Sequence, residues 1–241
     1  MTNHVKKYFE NTNTLLYSFL VSLPLFLLYE LLIIISQPSG EAIVRISVDV
    51  WIKTLFAYLG VNAVSFSLLL VAIIGLFILY KERHRLKELQ FTYFPVLILE
   101  ATVYAIVVAI ISQSMVSFIL NMAASDPINS LSMAQKIALS LGAGLYEELF
   151  FRVILVTLFI LAFSKLLGKK WAGITAAVVL SALLFSAVHY IGSMGDAFTL
   201  GSFLYRFLFG IILNGIYVWR GFGVAAWTHA IYDIMVIVFL S

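Results

Sequence analysis

The stretch AQKIALSLGAGLYEELFFRVILVTLFILAF, residues 134–163, is an almost uninterrupted apolar run with two adjacent glutamates, Glu147 and Glu148, in its middle. A helix needs about 20 residues to cross the ~30 Å hydrocarbon core of a bilayer, and this run exceeds that length. A charge at the bilayer centre costs roughly 2.5–3.5 kcal/mol on insertion scales, so ionisable groups there pair with one another or line a working cavity. The segment therefore sets the fold class and also marks where chemistry belongs.

Outward from this segment, comparable apolar runs recur near residues 15–36, 60–80, 91–114, 171–190, 201–219 and 222–240. The chain has 241 residues, 63% of them hydrophobic and 11% charged, with a mean hydropathy of +1.06. No ordinary soluble domain of this length has such a composition. The reading is an all-α, polytopic bundle of about 7–8 membrane helices, with no segment left over for a soluble domain. Met1 to Asn13 are polar and lead into a span too long for a signal-peptide core, so no cleaved leader is expected.

The eighth helix is the stretch Ile43 to Tyr58, where Arg45, Asp49 and Lys53 recur every fourth residue on one face. It is expected either at the interface or as an extra span. Basic residues concentrate in Lys81-Glu-Arg-His-Arg-Leu-Lys87 and in Lys165, Lys169 and Lys170, while Asn121 to Asn129 has none. The positive-inside rule puts the basic loops in the cytoplasm. The side on which the C-terminus lies depends on whether Ile43 to Tyr58 crosses. The expected location is a bacterial-type cytoplasmic membrane, and the expected partners are the lipid bilayer and a peptide or membrane-protein substrate. A net charge of +3 confined to short loops gives no nucleic-acid surface. With no cysteine, disulfides, thiolate metal sites and a cysteine nucleophile are excluded.

Within the decisive run, Glu148 and Arg152 are four apart with the acid first, the favourable order for a helical ion pair. Glu147 points about 100° away, at 3.6 residues per turn, and is the freer base. Both acids could instead simply snorkel or line a polar helix contact. Of four histidines, His189 and His229 fall in apolar runs, whereas His4 and His84 do not. Phe185 lies one turn before His189 on the same face and can fix its rotamer. His229 and Asp233 share a face at the same spacing, near enough to hydrogen-bond or to converge on one ligand. Alone, either pair could be a packing clasp. Together, Glu147, His189, His229 and Asp233 supply a base and several donors from three helices. They could polarise a water and hold an oxyanion, or they could hold a divalent metal such as zinc.

At these residues the chain resembles the CPBP intramembrane proteases, also called Abi, which include CAAX prenyl endopeptidases and bacteriocin-processing or self-immunity proteins. The family's Glu-Glu-x-x-x-Arg stands here as Glu147-Glu148-x-x-x-Arg152, its Phe-x-x-x-His as Phe185 to His189, and its His-x-x-x-Asn/Asp as His229 to Asp233. The approach Gly210 to Arg220, followed by Trp227-Thr-His229, is similar as well. The resemblance implies a membrane endopeptidase with residues 131–241 as catalytic core and residues 1–130 as further helices of the same bundle. It implies Glu147 and His189 as activators of water, His229 and Asp233 as oxyanion stabilisers or completion of a metal site, and Glu148, Arg152 and Phe185 as support. Many relatives carry asparagine where this chain has Asp233, and an ionised Asp would repel an oxyanion. Asp233 is thus expected to be a neutral donor, a metal ligand or the partner that orients His229, the last two being favoured.

Other hydrolase classes fit less well. There is no His-Glu-x-x-His, Tyr232-Asp233 and Gly195-Asp196 stand in the reverse of the usual aspartyl-protease order, and no glycine-rich elbow accompanies Ser186. A non-catalytic scaffold or immunity protein that binds partners, or an ion-coupled transporter, remains the alternative. Glu30, Glu100, Arg206 and Asn214 are read as pairing between helices or at interfaces, and Trp171 and Trp219 as interfacial anchors. A straight helix from Trp171 puts His189 about 27 Å along its axis, so tilt, a later entry, or a cavity at Gly142 and Gly144 must bring it to the other groups.

Overall fold

The computed structural model describes residues 3–36, 45–58, 60, 63–119, 131–192 and 195–240, and every regular element among them is helical. In order these are α1 (Asn3–Thr12), α2 (Leu15–Ser36), α3 (Ser47–Tyr58), α4 (Ala63–Lys81), a 3-10 turn (Arg83–Glu88), α5 (Tyr93–Ile119), α6 (Met133–Gly142), α7 (Thr157–Leu166), α8 (Lys170–Val188), α9 (Leu200–Arg220) and α10 (Phe222–Leu240). Two π-helical segments, Ala143–Glu147 and Leu149–Val156, join α6 to α7 into one continuous rod. Five helices are long and apolar enough to cross a membrane, namely Leu15–Ser36, Tyr93–Ser112, Met133–Leu166, Lys170–Val188 and Leu200–Arg220. Ser67–Lys81 and Phe222–Val238 are shorter apolar helices. The protein is a multi-pass integral membrane protein.

All seven expected runs carry a helix. The eighth crossing does not hold: α3 has 12 residues and rises about 18 Å, well short of a ~30 Å core. It packs instead against α4 and the first π-helical segment, with Asp49 and Lys53 buried. The expected neutral loop, Asn121 to Asn129, lies outside the described residues, as do Ile43 and its neighbour at 44.

Helix α10 is the hub, packing against α2, α5, α6, α9 and the first π-helical segment. Small residues allow this. A Cβ on Gly144 would sit 2.5 Å from the Ala226 carbonyl oxygen and 2.7 Å from the Ala230 Cβ, so the backbones of the two helices touch there. The space that a Cβ on Gly142 would need is taken in the same way by the Tyr29 ring, 2.5 Å away. These glycines therefore admit neighbouring side chains and backbone, which disfavours a glycine-lined cavity among the three ways of bringing His189 to the other groups. Gly144→Ala should lower stability by about 1–3 kcal/mol through overpacking, read as a lower unfolding temperature in detergent. A wild-type temperature would contradict the contact.

Pro24 interrupts the hydrogen-bond ladder of α2 without ending the helix. It has no N–H to give the Leu20 carbonyl one turn back. Separately, the indole Nε1 of Trp227 donates to the neighbouring Val21 carbonyl at 2.7 Å. This ties α2 to the turn of α10 that precedes His229.

Buried charges are paired across helices. Glu100 of α5 accepts from Tyr8, Tyr104 and Arg220, the last at 2.6 Å through Nε, which fastens α1 and α9 to α5. Asn214 donates to the Val178 carbonyl at 2.8 Å. Glu30 of α2 meets Arg45 at 3.2 Å and Lys53 at 2.7 Å, while Asp49 meets Arg45 at 2.8 Å and Lys53 at 2.7 Å. Tyr29 donates to Asp49, and Tyr146, the residue before Glu147, donates to Glu30 at 3.2 Å.

Candidate functional site

Glu147 ends the first π-helical segment and Glu148 stands between the two. In such turns the backbone N–H reaches the fifth carbonyl back instead of the fourth, which widens the helix and is frequent at functional sites. One carbonyl of the second segment, that of Phe151, takes a hydrogen bond from Ser181 Oγ of α8 at 2.9 Å, so α8 is held against the widened region.

Glu148 and Arg152 are wholly buried, as their spacing suggested, and Glu148 Oε1 lies 3.0 Å from Arg152 Nη1. The same oxygen is 2.8 Å from His229 Nδ1, a cross-helix bond that sequence spacing did not indicate. On the far side of the ring, His229 Nε2 is 3.4 Å from Asp233 Oδ2. The imidazole thus stands between two carboxylates, one sealed in the core and one reaching a side-chain exposure of 28%. Among the described residues no protein group accepts a well-aligned hydrogen bond from the Arg152 guanidinium, whose contact with Glu148 is an ion pair only. The cation instead lies 4.6 Å above the Phe185 ring.

Phe185 is the aromatic hinge of the site. Its ring packs edge-on against Phe151 at 5.2 Å, against His189 at 4.9 Å and against His229 at 6.3 Å. Phe209 covers the other side of His229 at 5.1 Å. His189 sits just past the last residue of α8, with Nδ1 2.7 Å from the Phe185 carbonyl. A carbonyl can only accept, so Nδ1 carries a proton, and Nε2 is the nitrogen left to face the site. The depth problem posed by a straight α8 is met by position: His189 belongs to the end of that helix, and Phe185, one turn deeper, contacts both imidazoles.

Glu147 is half-buried and makes no hydrogen bond or ion pair among the described residues. It is close enough to act electrostatically on Arg152, His229 and Asp233. The structure thus gathers Glu147, Glu148, Arg152, His229 and Asp233 into one charged cluster, with His189 linked to it through Phe185.

For the alternative in which Glu147, His189, His229 and Asp233 hold a divalent metal, no group of three or more His, Cys, Asp or Glu side chains among the described residues is arranged to hold an ion. Two further tyrosines, Tyr205 and Tyr232, share a hydrogen bond between hydroxyls beside Phe209. In the sequence Tyr232 stands out only beside Asp233, as part of a disfavoured aspartyl-protease pattern, and nothing singles out Tyr205.

Residues 129–235 match the family described as type II CAAX prenyl endopeptidase Rce1-like. The curated proteins and the solved structures give no match.

Proposed function

Residues 129–235 belong to the Rce1-like type II CAAX prenyl endopeptidase family, and from that premise we infer that this chain hydrolyses a peptide bond of a membrane-associated substrate with Glu147 as base. The substrate is a CAAX-type tail or a leader-type peptide. The observation that carries the reading is the Glu148–His229 bond, which joins the first and third motifs across 81 residues of chain and leaves the adjacent Glu147 without a partner of its own among the described residues.

In this reading Glu147 takes a proton from water while the lone pair on His189 Nε2 orients that water. The water oxygen attacks the scissile carbonyl carbon. The carbonyl oxygen becomes an oxyanion and is met by the imidazolium of His229, which Glu148 holds by its Nδ1–H. Glu147 then returns the proton to the leaving nitrogen as the C–N bond breaks. Asp233, 3.4 Å from His229 Nε2, orients the imidazole ring that meets the oxyanion and gives up no proton in the cycle. Seclusion in the bundle strengthens each of these interactions relative to water.

The test is cleavage of a farnesylated CAAX peptide and of a transmembrane leader peptide by the chain reconstituted in lipid. Cleavage of one of them is expected, and it should persist in excess EDTA because no step uses a metal. Loss of cleavage in EDTA, with recovery on adding zinc, would overturn the water-activation scheme.

A further inference from the structure

His189 occupies a weak place in the architecture. It follows the last residue of α8, where a helix leaves its final carbonyls without backbone donors. Two of its neighbours supply the restraint that the helix does not. The Asp196 N–H donates to the His189 carbonyl at 2.9 Å, tying Asp196 to the helix end. Tyr190, covalently next to His189, aims its hydroxyl at Ser202 Oγ of α9, 2.8 Å away.

Both neighbours end on one side chain. The guanidinium of Arg206, one turn further along α9, donates through Nη2 to the Asp196 carboxylate and through Nη1 to the Tyr190 hydroxyl at 2.9 Å and to Ser202. Its Cζ also lies 5.3 Å from the centre of the Tyr190 ring. The ion pair is partly open to the surroundings, with side-chain exposures of 23% for Arg206 and 50% for Asp196. Exposed pairs of this kind add little to folding stability, so thermodynamic glue is a poor account of four converging polar groups. Neither Arg206 nor Asp196 lies in the three motifs that carry the family resemblance.

We propose that Arg206 is a positioning residue that fixes His189 at the end of α8 by clasping Asp196 and Tyr190 together. A planar guanidinium can serve the carboxylate and the hydroxyl at once, which an ammonium on a flexible stem cannot do in the same geometry. Asp196 and Tyr190 are then held to α9 in one arrangement, and the His189 ring keeps its bond to the Phe185 carbonyl. For its kinetic consequence the clasp depends on the protease reading, but its structural consequence does not.

The experiment uses the full chain in lipid nanodiscs with 15N-labelled histidine, the His189 signal being assigned by its loss in His189→Asn. Wild type should show a single set of His189 shifts with the proton on Nδ1. Arg206→Ala and Asp196→Ala should show averaged or multiple sets, and the exchanged pair Asp196→Arg with Arg206→Asp should return towards one set. On a cleaved peptide the single variants should lose on the order of tenfold to a hundredfold in kcat with KM unchanged, as expected for a small misplacement of a reacting group. The exchanged pair should recover part of that loss. If Arg206→Ala does not fold, Arg206→Lys decides, because it keeps the charge but loses the fork. Wild-type shifts and kcat in Arg206→Lys, or an exchanged pair no better than the folded single variants, overturn the clasp. A wild-type chain that cleaves no peptide defeats the protease reading, while the histidine spectra still judge the clasp.

Discussion

Glu147→Gln is expected to abolish peptide cleavage while leaving the fold intact. The amide has nearly the same shape but no basic oxygen, so the water loses its proton acceptor. General-base groups of this kind contribute about a hundredfold to ten-thousandfold in rate, and the loss in kcat should lie in that range. Stability should hardly move, because Glu147 is half-buried and unpaired among the described residues. Its neighbour behaves differently: Glu148 is fully buried and shared between Arg152 and His229, so Glu148→Gln should lower the unfolding temperature as well as the rate. Rate and unfolding temperature measured on both variants separate a catalytic acid from a structural one. Cleavage by Glu147→Gln within tenfold of wild type would remove Glu147 from the role of base.

The contrast between these two adjacent acids shows what a linear sequence can reveal. Spacing alone gave the Glu148–Arg152 pair, since i and i+4 remain neighbours on any helix close to α. Spacing could not give Glu148–His229, which exists because Gly144 lets α10 come into backbone contact with the π-helical segment. The wider turn itself was also hidden. An angular separation of about 100° between Glu147 and Glu148 assumes α-helical winding throughout, whereas Glu147 ends one π-helical segment and Glu148 stands between the two. The apolar runs located every long helix among the described residues because hydrocarbon demands them, whereas for α3 the choice between an interfacial helix and an extra span was settled only by its 12-residue length. Pairing among Arg45, Asp49 and Lys53 was legible from their common face. Their junction with Glu30 and Tyr146 depends on how α2, α3 and the π-helical segment pack.

That junction supports the second large effect. Lys53→Met should destabilise the protein by about 3–5 kcal/mol, the usual consequence of removing one partner of a buried ionic cluster. In the native chain two carboxylates, Glu30 and Asp49, face two cations, Arg45 and Lys53, with every side chain at most 10% exposed. Formal charge then balances inside the cluster. Without the ammonium, Arg45 alone must serve both acids, and one negative charge stays uncompensated in a low-dielectric interior. Removing an acid at the same time should reverse much of the damage: Lys53→Met combined with Glu30→Gln leaves Arg45 facing Asp49, again neutral. The amide oxygen at position 30 can still accept from Tyr146, so the residue before Glu147 keeps its anchor. Unfolding free energies of the single and double variants in detergent decide the matter. A double variant as unstable as Lys53→Met would show that packing of the lysine stem, and not charge balance, holds α3 against the first π-helical segment.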